Sequence, residues 1–216
     1  MTDHPPNRRP GRPRREESGE IEQQLVAAAV RMIVEHGPSL TMNTIISASG
    51  LSRKTVYAHY PNKDALFAAV VREMLGSGLS PVTVPDRPDW RESLLAFVQE
   101  CLTEVCQPHA TAMRRLLMLN PAFMEEARPR IEQVVVRRYL DPLTGFLQSL
   151  VDQGILPDQD TGFAAEALTS LILAESHRRF FQGEADGNMD VELGRHARRL
   201  TGLFCGGITN PENSKL

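Results

Sequence analysis

A short segment, residues 52–60, carries five side chains that could bind nucleic acid, most of them hydrogen-bond donors: Arg53, Lys54, Thr55, Tyr57 and His59. No Asp or Glu that would repel a phosphate occurs between residues 39 and 63. Leu51, Val56 and Tyr60 can face a neighbouring helix, so that the donors point outward. Because a helix divided in this way can present its donors to base edges in the major groove, the segment predicts a DNA-recognition helix.

Capping residues predict how this helix is positioned. Thr41 is a good N-cap for a short helix through residue 48, Gly50 tolerates a tight turn, and Ser52 can cap the recognition helix, which runs to about residue 59. A longer helix over residues 20–36 precedes this pair. Asn62 can cap a fourth helix that ends near residue 76. The predicted unit is a helix-turn-helix, in which Arg53 is the best candidate for bidentate contact with guanine.

The spacing of these residues resembles the DNA-binding domains of the tetracycline-repressor (TetR) family over about residues 20–75. The residues that carry the resemblance are Thr41, Ser49-Gly50-Leu51-Ser52, Thr55-Val56-Tyr57, Tyr60, Lys63 and Leu66. The resemblance implies that Arg53, Lys54, Thr55, Tyr57 and His59 lie in or beside the major groove. It also places Thr41 and Asn43 near the DNA backbone and Lys63 at a phosphate. For Lys63 there is an independent reason, since the first turn of a helix already favours anions.

The amino-terminal arm, residues 1–19, is rich in Pro, Arg and Gly and lacks apolar periodicity, so we expect it to be flexible. Residues 1–15 carry a net charge of +4 in a chain of net charge −3. Arg12 and Arg14 flank Pro13 in a stretch similar to an AT-hook, which could enter the minor groove. A tail that only adds solubility is the alternative for this arm.

The rest of the chain predicts further helices, so the fold class is all-α with roughly nine helices. A linker with three prolines separates a three-helix DNA-binding domain with its helix-turn-helix, residues 20–80, from a helical domain over 85–207, and 208–216 form a tail. In the second domain we expect helices over 90–106, 108–119, 121–153, 160–182 and 189–205. The third of these contains Pro129 and Pro142, where a kink is expected.

Weaker similarity to TetR carboxy-terminal domains implies that the last two helices form a homodimer and that the middle helices hold a small-molecule inducer. A dimer also suits DNA reading, because one recognition helix contacts few base pairs and two related by symmetry read a palindromic double-stranded operator. The pocket candidates are apolar or adaptable residues of the central helices: Phe97, Cys101, Met113, Leu117, Phe123, Phe146, Phe163 and His177. Ordinary core packing is the alternative for each of them.

Other classes of protein find little support in the sequence. No apolar run approaches the ~20 residues of a membrane span, and no secretory signal is evident, so we expect a cytoplasmic protein without a membrane partner. No catalytic motif or metal-spaced cluster occurs, so we expect no enzyme, no metal site and no cofactor. The predicted function is therefore a ligand-responsive repressor. Its rivals are a regulator whose second domain only dimerises or binds a protein, a helical interaction protein without operator binding, and a thiol sensor using Cys101 or Cys106.

Overall fold

The computed structural model describes residues 15–76, 80–182 and 189–209, which are helical apart from short connections and contain no strand. The chain divides into two compact units between Val70 and Val71. Arg12, Arg14 and residues 210–216 lie outside the described residues. Within the described chain, no helix combines the length and apolarity needed to cross a bilayer.

The first unit contains α1 (Arg15–His36), α2 (Met42–Ser49), α3 (Arg53–His59) and the beginning of α4 (Lys63–Gly76). Helix α1 begins five residues before the predicted start and ends at Gly37, whose φ of 79° is in the left-handed region that glycine tolerates. The core of the unit is formed by fully buried aliphatic side chains of all four helices: Leu25, Ala28, Ala29, Ile33, Ile45, Val56, Leu66 and Val70. The apolar spacing of the sequence therefore corresponds to the face that each helix buries.

The second unit contains α5 (Trp90–Val105), α6 (Pro108–Leu119), α7 (Pro121–Val135), a π-helical turn (Val136–Leu140), α8 (Asp141–Asp152), α9 (Thr161–Gln182) and α10 (Met189–Ile208). Segments α7, the π-helical turn and α8 are continuous, so joined together they leave nine separate helices in the described chain. This confirms the predicted all-α fold. Helix α5 lies at the centre of the unit and packs against α9 and α10, and its side chains Phe97, Val98 and Cys101 are fully buried.

A π-helical turn lies just before Pro142, where a kink was expected. Proline has no backbone N–H, so the carbonyl of Arg138, four residues earlier, cannot receive the usual helical hydrogen bond. The N–H of Val82 donates to this carbonyl instead, at 2.9 Å. Because this carbonyl is free, the linker before α5 can form a hydrogen bond with the middle of the continuous segment α7–π-helical turn–α8. Pro129, the other proline of the predicted kink, lies inside α7.

The apolar residues of α9 and α10 include both buried and exposed side chains. In α9, Ala165 and Leu168 are buried, whereas Phe163 and Leu171 are exposed. In α10, Leu200 is buried and most of Leu203 is exposed. Each of these two helices therefore carries apolar side chains in the core and apolar side chains on the exposed surface. An exposed apolar side chain is either covered by another surface or left in water.

Candidate DNA-binding site

Two side-chain caps define where the helices of the helix-turn-helix begin. The Oγ1 of Thr41 accepts a hydrogen bond from the N–H of Thr44 at 3.2 Å, and the Oγ of Ser52 accepts one from the N–H of Thr55 at 3.1 Å. Such a cap satisfies an N–H that has no partner inside the helix and contributes about 1 kcal/mol. Both caps confirm the sequence prediction and explain why two helices of eight and seven residues begin at these positions.

Gly50 forms the turn between α2 and α3. Its φ of 72° and ψ of 4° lie in the left-handed region, as expected from the sequence. Next to it, the Oγ of Ser49 donates to the carbonyl of Ile46 at 2.8 Å and accepts from the N–H of Leu51 at 3.2 Å. The buried Ser49 hydroxyl therefore satisfies backbone groups on both sides of the turn, which fixes the direction of α3 relative to α2.

Helix α3 is divided into a buried and an exposed side. Val56 is fully buried and Tyr60, at the carboxyl end, is nearly so. Arg53, Lys54 and Tyr57 are exposed, whereas Thr55 and His59 are half-buried. The division follows the pattern expected for a recognition helix, with a donor-rich side directed to solvent.

Arg53 and Asn43 form a contact that the sequence did not predict. One guanidinium nitrogen of Arg53, Nη2, donates to the Asn43 side-chain oxygen at 2.7 Å, and both residues are exposed. The bond joins α2 to α3 on the exposed surface. Because guanidinium has five N–H donors, Arg53 keeps free donors for a base or a phosphate while Asn43 limits its rotation.

Lys63 lies at the first residue of α4, whose start is capped by Asn62: the side-chain oxygen of Asn62 accepts from the N–H of Ala65 at 2.8 Å. The Lys63 ammonium donates to the carbonyl of Leu40 at 3.3 Å and lies 5.0 Å from the centre of the Phe67 ring. Ammonium has three donors, so this position is compatible with a phosphate contact. The contact itself stays a prediction.

Two residues of α1 that sequence reasoning missed hold the helix-turn-helix in place. The Gln24 side chain donates to the carbonyl of Ser49 at 2.9 Å, and the Tyr60 hydroxyl donates to a Glu22 carboxylate oxygen at 2.9 Å. These bonds connect α1 to the end of α2 and to the end of α3. No signal in the spacing identifies Gln24 or Glu22, because each partner is 25 or more residues away in the sequence.

Comparisons with known proteins agree with this geometry. The family profile described as "Bacterial regulatory proteins, tetR family" matches residues 25–70, and the profile described as "AefR-like transcriptional repressor, C-terminal domain" matches residues 92–206. This chain belongs to the TetR family. It is therefore a DNA-binding transcriptional regulator and not an enzyme, as the sequence analysis predicted.

Relatives and solved structures extend over both units. An uncharacterized HTH-type transcriptional regulator of Mycobacterium tuberculosis is 28% identical over 158 residues, which is 72% of this chain and 69% of that protein. A TetR-family transcriptional regulator from Mesorhizobium loti has a TM-score of 0.70 at 21% identity, covering 88% of this chain and 96% of that one. The SmeT–triclosan complex has a TM-score of 0.58 at 19% identity, covering 88% and 92%. At these identities the solved structures show the shared TetR fold.

The eight pocket candidates of this TetR-family chain differ in how deeply they are buried in the second unit. Phe97, Cys101, Met113, Leu117 and Phe123 are buried, and the first two belong to the main core around α5. Phe146 is half-buried and lines a shallow groove beside the linker. Phe163 and His177 are exposed on α9, which does not fit the wall of a pocket within a single chain. Core packing accounts for the burial of Phe97 and Cys101 without a ligand.

An open cleft of about 500 Å³ lies between α5, α6 and α7 and the last turn of α4, and we call it the polar cleft. Its lining includes Leu75, Glu100, Thr103, Glu104, His109 and Arg138, and none of the eight candidates contributes to it. Sequence reasoning missed this cleft because it searched the central helices for apolar side chains, and more than half of this lining is polar. Its volume is in the usual range for a small-molecule site.

In the described part of the chain, the cysteines are protonated and the possible metal ligands are scattered. Burial raises the pKa of all three thiols above its ordinary value, so Cys101, Cys106 and Cys205 are protonated at neutral pH. A thiol rather than a thiolate is a poor nucleophile and a poor metal ligand. Among the described residues, no three His, Cys, Asp or Glu side chains are grouped so that they could hold a metal ion.

Proposed function

We propose that this TetR-family regulator is a homodimeric repressor that binds a palindromic operator through α3 and leaves it when a small ligand binds the second unit. The observation that carries the proposal is the division of α3 into a buried side, Val56 and Tyr60, and an exposed side that carries Arg53, Lys54 and Tyr57. An exposed row of donors without a carboxylate suits a phosphate-lined groove. The lysine and arginine supply charge, and the tyrosine adds an apolar ring with a polar tip.

Dimerisation is supported by the exposed apolar residues of the last two helices. Phe163 and Phe181 of α9 are 68% and 70% exposed, and Leu203 of α10 is 74% exposed. Phe163 and Phe181 are separated by 18 residues, which is five turns of an α-helix, so they lie on the same side of α9. Large apolar side chains exposed to solvent are typical of the surface of a protein interface. We propose that a second copy covers this surface through its own α9 and α10.

Ligand release and repression rest on two further observations. The chain carries an AefR-like repressor carboxy-terminal domain over residues 92–206, and a protein of the same fold has been solved in complex with triclosan. In this chain, the polar cleft includes Met74 and Leu75 of the last turn of α4, so a ligand there would touch the helix that leaves the first unit. A ligand shifts the regulator away from DNA only if it binds the two states with different affinities.

The test is selection of bound duplexes from a random-sequence library, followed by sedimentation of the complex. We expect a palindrome whose half-site centres are about 34–36 Å apart, or a multiple of this, bound by two protomers or by pairs of protomers. Lys54→Ala should weaken binding to the selected duplex and lower its salt dependence, whereas Arg137→Ala should not, since Arg137 is an exposed arginine of the second unit. Selection of a single non-repeated half-site bound by one protomer would refute the proposal.

A further inference from the structure

The hydrogen bond between Arg53 and Asn43 joins the first turns of α3 and α2, and a side-chain cap holds each of these turns. Asn43 is the second residue of α2, which Thr41 caps. Arg53 is the first residue of α3, which Ser52 caps. Because a cap orders the first turn of a helix, the two side chains project from fixed backbone positions. The bond of 2.7 Å from Nη2 of Arg53 to the side-chain oxygen of Asn43 then limits the remaining side-chain rotation.

The acceptor in this bond is neutral. Asn43 supplies an amide oxygen, which orients the guanidinium without cancelling its positive charge. Arg128 on the surface of the second unit is a contrast, because it donates to a carboxylate oxygen of Glu125 at 2.6 Å. Within the described residues, Arg53 makes no ion pair with Asp or Glu. The whole charge of Arg53 is therefore available to DNA.

Arg53 also keeps a complete edge of donors while Asn43 holds it. A guanidinium has two edges that each carry two parallel N–H donors, Nε with Nη2 and Nη1 with Nη2. Asn43 occupies one N–H of Nη2, so one of these edges stays complete. In the major groove, guanine presents two acceptors to such an edge, whereas adenine presents one acceptor and one donor. A guanidinium that is held toward a base edge therefore favours guanine.

Restricted rotation matters because a guanidinium binds a phosphate as readily as it binds guanine. A phosphate contact positions the protein on the duplex but carries no sequence information. An Arg53 side chain that turned freely would exchange a mismatched base for a neighbouring phosphate. The preference for guanine would then fall while most of the affinity remained.

We propose that Asn43 is a positioning residue for base recognition, which holds Arg53 toward one guanine in each half-site of the operator. The inference rests on the proposed binding of DNA through α3 and adds a residue of α2 that sets the specificity of this binding. Asn43 performs this role through Arg53. The family resemblance implies instead that Asn43 lies near the DNA backbone, and a contact of that kind would strengthen binding to all sequences alike.

The test measures base preference separately from affinity. Duplex selection with the unmodified protein and with Arg53→Ala identifies the guanine as the position where only the variant has lost its preference. Dissociation constants are then measured by mobility shift for the selected duplex and for a copy with adenine at this position in both half-sites. We expect the unmodified protein to prefer guanine by about tenfold or more per half-site. Asn43→Ala should reduce this preference to about threefold or less and change binding to the adenine duplex by less than about twofold.

Further variants separate positioning from a direct contact. In the Arg53→Ala background, Asn43→Ala should change the preference no further, because Asn43 acts through Arg53. Asn43→Asp keeps an acceptor but cancels the charge, so the preference for guanine should remain while both duplexes bind more weakly. Gln23→Ala is the control and should leave the preference unchanged. Gln23 is an exposed carboxamide of α1 whose side chain makes no hydrogen bond within the described residues.

Three results would overturn the proposal. They are a full preference for guanine in Asn43→Ala, an equal effect of Asn43→Ala with and without Arg53, and an Arg53→Ala variant that loses its preference at no position. Each of these results leaves operator binding through α3 standing. Selection of no repeated half-site by the unmodified protein would instead refute the proposed function and this inference with it, so the two failures are distinguishable.

Discussion

Replacement of Arg138 should loosen the second unit, because this residue joins three parts of it. Its Nε and Nη2 donate to the two carboxylate oxygens of Glu104 on α5, at 2.6 and 2.8 Å. Its Nη1 donates to the carbonyl of Ser80 in the linker, and its own carbonyl accepts from Val82. The hydrogen bonds with Glu104 raise the pKa of Arg138 further above its ordinary value, so the guanidinium is charged at every pH of interest.

The magnitude follows from the exposure of the pair. The Arg138 and Glu104 side chains are 19% and 25% exposed. Exposed ion pairs contribute about 0–1 kcal/mol, whereas breaking a fully buried pair costs about 3–5 kcal/mol. A bidentate pair at this intermediate depth, together with the bond to Ser80, predicts a loss of about 2 kcal/mol for Arg138→Met. In a double-mutant cycle with Glu104→Gln, the coupling should be about 1–2 kcal/mol.

The assay is urea unfolding followed by the fluorescence of Trp90, which belongs to the second unit. With a slope of about 2 kcal/mol per molar urea, Arg138→Met should lower the midpoint by about 1 M. Arg137→Met is the control, since Arg137 is exposed and adjacent in sequence, and its midpoint should change by less than about 0.3 M, in line with ordinary surface substitutions. A coupling below about 0.5 kcal/mol would refute the reasoning, because the pair would then behave like any exposed ion pair.

Three further predictions concern backbone conformation, pH and thiol chemistry. Gly50→Ala should lower the free energy of unfolding by about 1 kcal/mol, because Gly50 has a left-handed φ that alanine avoids. Gly206→Ala is the control: Gly206 lies within a helix with open space around it, so the substitution should be neutral or stabilising. Thermal unfolding of the two variants measures the difference. Hydrogen bonds from Arg178 and Arg179 lower the pKa of Glu175 from 4.5 to about 2, so its stabilising contribution is complete above pH 4.5 and is lost as the pH falls toward 2. In Glu175→Gln, this part of the acid-induced loss in urea unfolding should be absent, and an unchanged pH profile would contradict the assignment. Because the pKa values of these thiols are raised, iodoacetamide should react slowly with the cysteines at pH 7. In the presence of a mild oxidant, the double variant Cys101→Ser, Cys106→Ser should bind DNA as the unmodified protein does. A response to oxidant that these substitutions remove would instead support the thiol sensor.

Local chemistry made the helix-turn-helix predictable. Thr41, Ser52 and Asn62 accept hydrogen bonds from backbone N–H groups two or three positions inside their helices, and Gly50 adopts the one conformation that other residues avoid. Each of these effects acts over three or four residues, so the sequence alone carries the information. The same is true of Asp89, which caps α5 through the N–H of Arg91.

Features that depend on distant partners were not predictable in the same way. The π-helical turn lies just before Pro142, and the carbonyl of Arg138, which this proline leaves free, accepts from the N–H of Val82, 60 residues before Pro142. The contact between Arg53 and Asn43 depends on the angle between two helices. Apolar residues such as Phe163 are consistent with a core or with an interface on periodicity alone, and the exposure of Phe163 became visible only in the structure. The polar cleft could not be found by a search for apolar pocket residues.

We propose that the exposed side of α3 and the start of α4 bind the DNA duplex. The most direct measurement is the dissociation constant of the selected duplex, by mobility shift, for the unmodified protein, Tyr57→Ala and Lys63→Ala. We predict that each variant binds about tenfold more weakly or worse, with unchanged helical content, because each loses a contact with DNA worth about 1–3 kcal/mol. Undiminished binding by both variants would contradict the account.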